Sequence, residues 1–187
     1  MKLENLIDFE WLNEPANVIF ADKEMKISAK PETDFWFAIH HQIKKDNAHF
    51  FHKKTDGNFT LIVKWHFESA DKFKQCGIMA RVDERNWFKA SLMARDESKP
   101  EIGTCLTVQG DSDWAGAALN QMPHEIFYKL ERKGNDFVCS YSKDGQKYIR
   151  LRQFYLRNIE SQLKIGAYIA SPSKEPFEAI LDEIDIN

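Results

Sequence analysis

Three consecutive runs between residues 58 and 95 alternate two kinds of side chain along the sequence. In the first run the odd positions are all apolar: Phe59, Leu61, Val63, Trp65 and Phe67. The even positions between them are mostly polar, and residues 75–82 and 86–95 repeat this alternation. A period of two places successive side chains on opposite faces of a β-strand. The three runs therefore predict three strands, each with one apolar face.

The opposite face of the second and third runs combines polar and aromatic residues. Gln75 and Arg81 lie on it in the second run, and Trp87 and Lys89 lie on it in the third. A face that simply meets solvent rarely carries Trp among charged residues, because Trp buries a large apolar area. We interpret this face as a candidate binding surface.

The rest of the chain adds short alternating runs that are separated by turn signals. Further strands are predicted at 18–20, 25–29, 49–52, 101–109, 124–132, 137–142, 147–150, 163–170 and 177–186. Lys133-Gly-Asn-Asp136 and Lys143-Asp144-Gly145 predict two hairpin turns. Residues 110–116 are interpreted as a loop, and residues 153–161 as a short helix or a 3₁₀ turn. Many short strands at such regular spacing are typical of an all-β sandwich or barrel.

Composition narrows the class of protein. The 187 residues fit one domain, 1–187, and a hydrophobic content of 43% favours a folded chain. A net charge of −3 argues against binding to nucleic acid or to an anionic membrane, both of which favour basic surfaces. No apolar run reaches the length of about 20 residues that spans a bilayer. The acidic first residues do not resemble a signal peptide, so a cytoplasmic location is expected.

Several short fragments carry a resemblance that covers nearly the whole chain. They are Asn13-Glu-Pro15, Thr33-Asp-Phe-Trp36, Gln75-Cys-Gly-Ile-Met-Ala-Arg81, Asn86-Trp-Phe-Lys89, Ser112-Asp-Trp114, Tyr141-Ser-Lys-Asp-Gly145 and Ser171-Pro172. In order and spacing they resemble the uncharacterised family that includes the regulation-of-enolase proteins. The resemblance implies a concanavalin A-like jelly-roll sandwich of two curved antiparallel sheets. It also implies a concave face able to hold an extended carbohydrate, although one fold hosts many functions.

The chain departs from that family at two positions. The family usually has an acidic residue where this chain has Lys74, and a Glu where it has Met93. Both acids would be expected on the concave sheet in a glycosidase-like protein. Hydrolysis of a glycoside needs two carboxyl groups about 5–5.5 Å or 6.5–9.5 Å apart. Asp182-Glu-Ile-Asp185 lies in the last strand without the Glu-x-Asp-x-Glu pattern of hydrolytic relatives.

Other site chemistries find little support in the sequence. His40, His41, His49 and His52 crowd one segment, but a strand would aim His49 and His52 at opposite faces. We interpret them as structural or solvated histidines, and we expect no metal and no cofactor. The three cysteines lack metal-ligand spacing, and Cys76 and Cys139 are expected to be buried free thiols. No nucleophile motif and no phosphate-binding glycine loop occurs.

We therefore predict a non-catalytic protein that binds carbohydrate on the concave sheet. Flat tryptophans would stack on the apolar faces of sugar rings, and polar groups would contact the hydroxyls. The expected ligand-binding residues are Trp36, Gln75, Arg81, Trp87, Lys89, Ser112, Asp113 and Trp114. The competing interpretation is that these tryptophans only pack in the core or at its rim.

Other functions stay open at this level. A cytoplasmic protein-interaction or regulatory module is the main alternative, because a concave aromatic face could hold a peptide as well as a sugar. Exposed strand edges could also pair two copies into a homodimer. A carbohydrate-active hydrolase, lyase or isomerase is the least favoured reading.

Overall fold

The computed structural model describes residues 6–21, 23–38, 42–67, 73–94, 100–156 and 163–187. These residues form two seven-stranded antiparallel sheets and one separate two-stranded hairpin. In spatial order, the first sheet contains β1 (Glu10–Leu12), β6 (His49–Thr55), β15 (Leu163–Ala170), β8 (Gln75–Asp83), β9 (Asn86–Ala94), β10 (Pro100–Val108) and β11 (Asp111–Ala118). The second contains β14 (Ile149–Tyr155), β13 (Asp136–Ser142), β12 (Glu125–Lys133), β7 (Phe59–His66), β16 (Phe177–Ile186), β3 (Glu24–Ala29) and β2 (Asn17–Ala21). The predicted all-β sandwich is confirmed.

The core lies between the two sheets, and the period of two explains how it forms. The odd residues of β7 from Phe59 to Trp65 are buried, and they meet the apolar residues of β8 and β9 in one cluster. Two hydrogen bonds also join the sheets. The Trp65 indole Nε1 donates to the carbonyl oxygen of Gly77 at 2.9 Å, and the Tyr128 hydroxyl donates to that of Cys76 at 3.3 Å. These bonds satisfy the polar atoms of two buried aromatic side chains.

The two predicted hairpin turns, at 133–136 and 143–145, are confirmed by the pairing of β13 with β12 and β14. Two predictions of secondary structure were wrong. The residues predicted as a loop at 110–116 form most of strand β11. Gln109 and Gly110 have φ angles of 54° and 90°, and this two-residue turn aligns β11 with β10. The predicted helix at 153–161 is also wrong at its start, because β14 continues to Tyr155. Residues 157–161 lie outside the described ranges.

The last strand shows how a bulge changes which positions face inward. Phe177, Ala179 and Leu181 are buried, as their alternation predicts. The register of β16 against β7 then shifts between Leu181 and Glu183, so the next buried residue is Ile184. The three cysteines are all buried and free, which confirms the prediction for Cys76 and Cys139.

The two-stranded hairpin covers part of the first sheet. It consists of β4 (Phe35–Ala38) and β5 (Ile43–Asp46), and we call it the cover hairpin. It packs on the outer face of the first sheet, the face turned away from the second sheet. A second apolar cluster fills this contact: Phe35, Ala48, Phe50, Met79, Trp87, Cys105, Tyr168 and Ala170. The face that the sequence suggested as an open binding surface is therefore largely covered.

Candidate functional site

Trp87 supports the cover hairpin from below. Its side chain is fully buried, and the rings of Phe35 and Phe37 contact it with centroid distances of 6.2 and 6.3 Å. The Trp87 Nε1 donates to the carbonyl oxygen of Glu84 at 3.2 Å. A sugar cannot stack on a ring that has no accessible face, so the platform assigned to Trp87 from the sequence is not available in this structure.

Two other sequence-predicted ligand residues also hold the hairpin. The Arg81 guanidinium donates two hydrogen bonds to the Asp46 carboxylate, at 2.6 and 3.0 Å. Ser112 Oγ accepts a hydrogen bond from the backbone N–H of Phe37 at 3.0 Å. The two charge-assisted bonds between Arg81 and Asp46 fix the orientation of the hairpin as well as adding stability. Arg81 and Ser112 therefore position the cover hairpin.

An open cleft of about 410 Å³ lies between the cover hairpin and neighbouring residues of the first sheet. Apolar side chains form most of its lining: Trp36, Ile43, Phe73, Met93, Trp114 and Pro172. Three polar side chains complete the lining: Asp34, Gln75 and Lys89. The volume falls in the range of about 300–1,000 Å³ that is usual for small-molecule sites. A largely apolar cleft with a few polar groups is the common form of such a site.

Lys89 forms the polar floor of the cleft together with its neighbours. Its side chain is only 2% exposed, and Nζ donates to Asp34 Oδ1 at 2.8 Å and to Gln75 Oε1 at 3.1 Å. The Tyr168 hydroxyl donates to the same Gln75 oxygen at 2.9 Å. Asp34 Oδ1 also accepts the backbone N–H of Phe35 at 2.8 Å. A buried charge needs such partners, because an unpaired charge in this environment is very costly.

Burial also sets the protonation of the groups around Lys89. It raises the pKa of the Tyr168 hydroxyl well above its usual value, so this group stays a neutral donor. Burial raises the pKa of the Cys105 thiol to about 11, although the Lys89 charge opposes that shift. The floor is therefore built from one ion pair and neutral hydrogen-bonding groups at neutral pH.

Trp114 forms a wall of the cleft on the edge strand β11, and three residues fix its indole. Trp114 Nε1 donates to Glu101 Oε1 at 2.5 Å. A Cβ atom at Gly103 would overlap the six-membered ring of Trp114, so the indole lies directly on the glycine backbone. A Cβ at Gly116 would likewise overlap the Glu101 carboxylate. The two glycines face each other in the β10–β11 register, and both leave room for this arrangement.

The structure brings together half of the eight residues expected from sequence. Trp36, Gln75, Lys89 and Trp114 line the cleft. Asp113 lies on the opposite face of β11, where its carboxylate accepts a hydrogen bond from Arg152 at 3.0 Å. Arg81, Trp87 and Ser112 hold the cover hairpin, as described above.

The two positions that depart from the family pattern lie in different places. Met93 lines the cleft, and its cross-strand partner in β10 is Glu101. Lys74 instead lines a separate surface cleft of about 340 Å³ beside Phe177, at one end of the second sheet. Met93 therefore belongs to the first sheet and to the cleft, whereas Lys74, which precedes β8, is not among the residues that line the cleft.

Most carboxyl groups and histidines that the sequence singled out lie away from the cleft. Among the described residues, Asp34 is the one carboxyl in the lining of the cleft, and Asp182 and Asp185 lie in the second sheet. His49 and His52 are buried, whereas His40 and His41 lie outside the described residues. The described ranges contain no group of three potential metal ligands. They also contain no helix that is long and apolar enough to cross a membrane.

Sequence reasoning missed several contributors to the cleft. Asp34, Ile43 and Phe73 come from segments that no alternation pattern connects to β8 and β9. Tyr168 lies on β15, whose pairing with β8 is long-range. One local signal was present for Gly103, because a glycine inside a strand pattern often marks a close approach of another group.

The fold and the cleft define an antiparallel β-sandwich protein of two seven-stranded sheets with an open cleft on the outer face of one sheet. The family model described as "Protein of unknown function (DUF1349)" matches residues 11–187. The chain therefore belongs to this family. It is also similar to the protein named "Regulation of enolase protein 1" from Saccharomyces cerevisiae, with 31% identity over 146 residues. That match covers 77% of this chain and 73% of the yeast protein.

Solved structures show the same fold. A functionally unknown protein from Saccharomyces cerevisiae superposes with a TM-score of 0.89 at 22% identity, covering 97% of both chains. The GH43 BlXynB protein from Bacillus licheniformis superposes with a TM-score of 0.75 at 15% identity. This second match covers 96% of the present chain but only 36% of the Bacillus protein. At these identities the likeness concerns the fold alone.

Proposed function

We propose that this chain is a non-catalytic binding protein whose cleft holds a carbohydrate. The observation that carries the proposal is the arrangement of Trp36 and Trp114 around a polar floor. Both tryptophans are partly exposed, and they reach the same cleft from two separate elements, the cover hairpin and β11. Such rings offer flat apolar surfaces to the carbon faces of a sugar.

The polar floor supplies the second half of sugar recognition. Lys89 and Gln75 carry N–H donors, and the Asp34 carboxylate and the Gln75 amide oxygen are acceptors. Sugar hydroxyls donate and accept at the same time, so a mixed set of this kind suits them. The network of Lys89 with Asp34, Gln75 and Tyr168 holds these groups in place before any ligand arrives, which lowers the entropy cost of binding.

The geometry supports binding better than hydrolysis. A glycosidase needs two carboxyl groups on either side of the scissile bond. Asp34 is the carboxyl that lines the described part of the cleft, and it is ion-paired with Lys89 at 2.8 Å. One carboxyl engaged with Lys89 does not provide the pair of carboxyl groups that hydrolysis requires.

The test is a titration of tryptophan fluorescence and calorimetric heat against glucose-, xylose-, arabinose- and mannose-based saccharides. We expect saturable binding to at least one series, weakened about tenfold, or about 1.4 kcal/mol, by Trp36→Ala and by Trp114→Ala. Trp11→Ala is the matched control, because Trp11 is also partly exposed but packs on Phe51 outside the cleft. Binding that is equally sensitive to Trp11→Ala, or no binding to any series, would contradict the proposal.

A regulatory interaction is the second candidate, and one observation favours it. The yeast relative with 31% identity is named for the regulation of enolase. The cleft could accept a side chain or loop of a protein partner through the same Trp36 and Trp114 surfaces. Size-exclusion chromatography of the chain mixed with purified yeast enolase tests this function, and co-elution lost in Trp114→Ala would support it. The cytoplasmic location and the possible homodimer stay predictions.

A further inference from the structure

The cleft extends over only part of the width of the first sheet. Its lining residues from that sheet come from β8, β9 and β11, namely Gln75, Lys89, Met93 and Trp114. The next strand beyond β8 is β15, and there the cleft meets Pro172, which follows the end of that strand. The cleft therefore does not run along the whole width of the seven-stranded sheet.

Residues 31–34, which we call the strap, close the β15 side of the cleft. Residues 31–34 run alongside residues 171–173, and Pro31 forms a parallel bridge with Ser171. The backbone N–H of Thr33 donates to the carbonyl oxygen of Ser171 at 2.9 Å, and that of Ser171 donates back to Thr33 Oγ1 at 3.1 Å. Thr33 and Ser171 are both buried, so this contact is a packed part of the structure.

The sheet face beyond this strap is also covered. Tyr168 of β15 and Phe50 of β6 are fully buried on this face, and the ring of Phe35 in the cover hairpin lies 6.4 Å from that of Tyr168. Asn13 Nδ2 donates to the carbonyl oxygens of Asp46 and Ala48, at 3.0 and 2.9 Å. These contacts fill the region where a long ligand would have to continue across β15 and β6.

We infer that the cleft is closed on its β15 side, so that it takes a short saccharide or one end of a longer chain. Its other side reaches β11, the edge strand of the sheet, and the ligand enters past Trp114. This differs from the extended groove that a bare concave sheet would offer. The inference rests on the proposed carbohydrate-binding function and names the class of ligand that function would use.

The test compares short and long members of the same sugar series on the full chain by isothermal titration calorimetry. Suitable pairs are cellobiose with cellohexaose, xylobiose with xylohexaose, and mannobiose with mannohexaose. We expect the dissociation constants within a binding pair to differ by less than about tenfold, because units outside a closed cleft add no contacts. The Trp114→Ala variant should weaken both members of the pair equally, since both enter past this residue.

Each outcome decides the question. Similar affinities for the short and long members support a closed cleft. A hexasaccharide that binds more than about tenfold tighter than its disaccharide shows that further units contact the protein. That result would overturn the closed cleft while leaving carbohydrate binding intact. Absence of binding for all pairs would overturn both, so the two failures are distinguishable.

Discussion

The Lys89→Met substitution tests whether the buried ion pair organises the cleft. Methionine keeps most of the aliphatic stem of Lys89 but removes the ammonium group that binds Asp34 at 2.8 Å. The side chains of Lys89 and Asp34 are 2% and 19% exposed, so Asp34 would keep a partly buried charge without its cation. Removing one partner of a buried pair costs about 3–5 kcal/mol.

We expect a loss near the lower end of that range. Asp34 retains some exposure and still accepts the backbone N–H of Phe35 at 2.8 Å, so about 3 kcal/mol is reasonable. For a chain of 187 residues, each kcal/mol lowers Tm by about 2–4 °C, which gives a shift of about 6–12 °C. Chemical denaturation and differential scanning calorimetry both measure this loss.

Two further variants separate burial from charge. Lys26→Met breaks an ion pair of similar length, 2.9 Å to Glu178, whose side chains are 48% and 54% exposed. It should cost no more than about 1 kcal/mol. The double variant Lys89→Met with Asp34→Asn leaves no orphaned charge, so it should recover about 2 kcal/mol relative to Lys89→Met alone. The reasoning is refuted if Lys89→Met costs as little as Lys26→Met.

Three other predictions follow from single features. Phe73 has a φ angle of 64°, so Phe73→Gly should be about 1 kcal/mol more stable than Phe73→Ala in urea unfolding, although both lose the ring; equal stabilities would contradict backbone strain. Gly103→Ala should displace the Trp114 indole and change its near-ultraviolet circular dichroism, whereas Gly57→Ala, with no atom near the added methyl, should leave that signal unchanged. Burial lowers the pKa of His52 to about 4, so the folded chain binds fewer protons than the unfolded chain between about pH 6.5 and 4. The free energy of unfolding should therefore fall by about 2–3 kcal/mol as the pH drops from above 6.5 to 4.5, and His52→Phe should remove this part of the pH dependence. If the free energy of unfolding of His52→Phe depends on pH as that of the unsubstituted chain does, the prediction is wrong.

The strand pattern was readable from the sequence because it depends on local spacing. The alternation in 59–67 predicts which residues of β7 enter the core, and burial follows that alternation. The hairpin at Gly134 and Asn135 was also predictable, because the turn chemistry is contained in adjacent residues. Strand β11 was missed because its small polar residues resemble a loop, and only pairing with β10 makes them a strand.

The candidate site was only half predictable for a related reason. The alternation along β8 and β9 predicts that Gln75, Lys89 and Trp87 share a face, but it does not indicate what covers that face. The cover hairpin buries Trp87 and leaves Lys89 at the floor of a cleft, and no local pattern in the sequence indicates where this hairpin lies.

By itself, then, the sequence determined the class of fold, the core-facing side of the main strands and the resemblance to a family. Each depends on residues close in sequence or on an ordered set of fragments. The tertiary structure alone decided which polar and aromatic residues meet. Asp34 reaches Lys89, Arg81 reaches Asp46 and Tyr168 reaches Gln75 across separations of 35 to 93 residues. Such contacts arise from how the sheets and the hairpin pack, and spacing along the chain does not encode them locally.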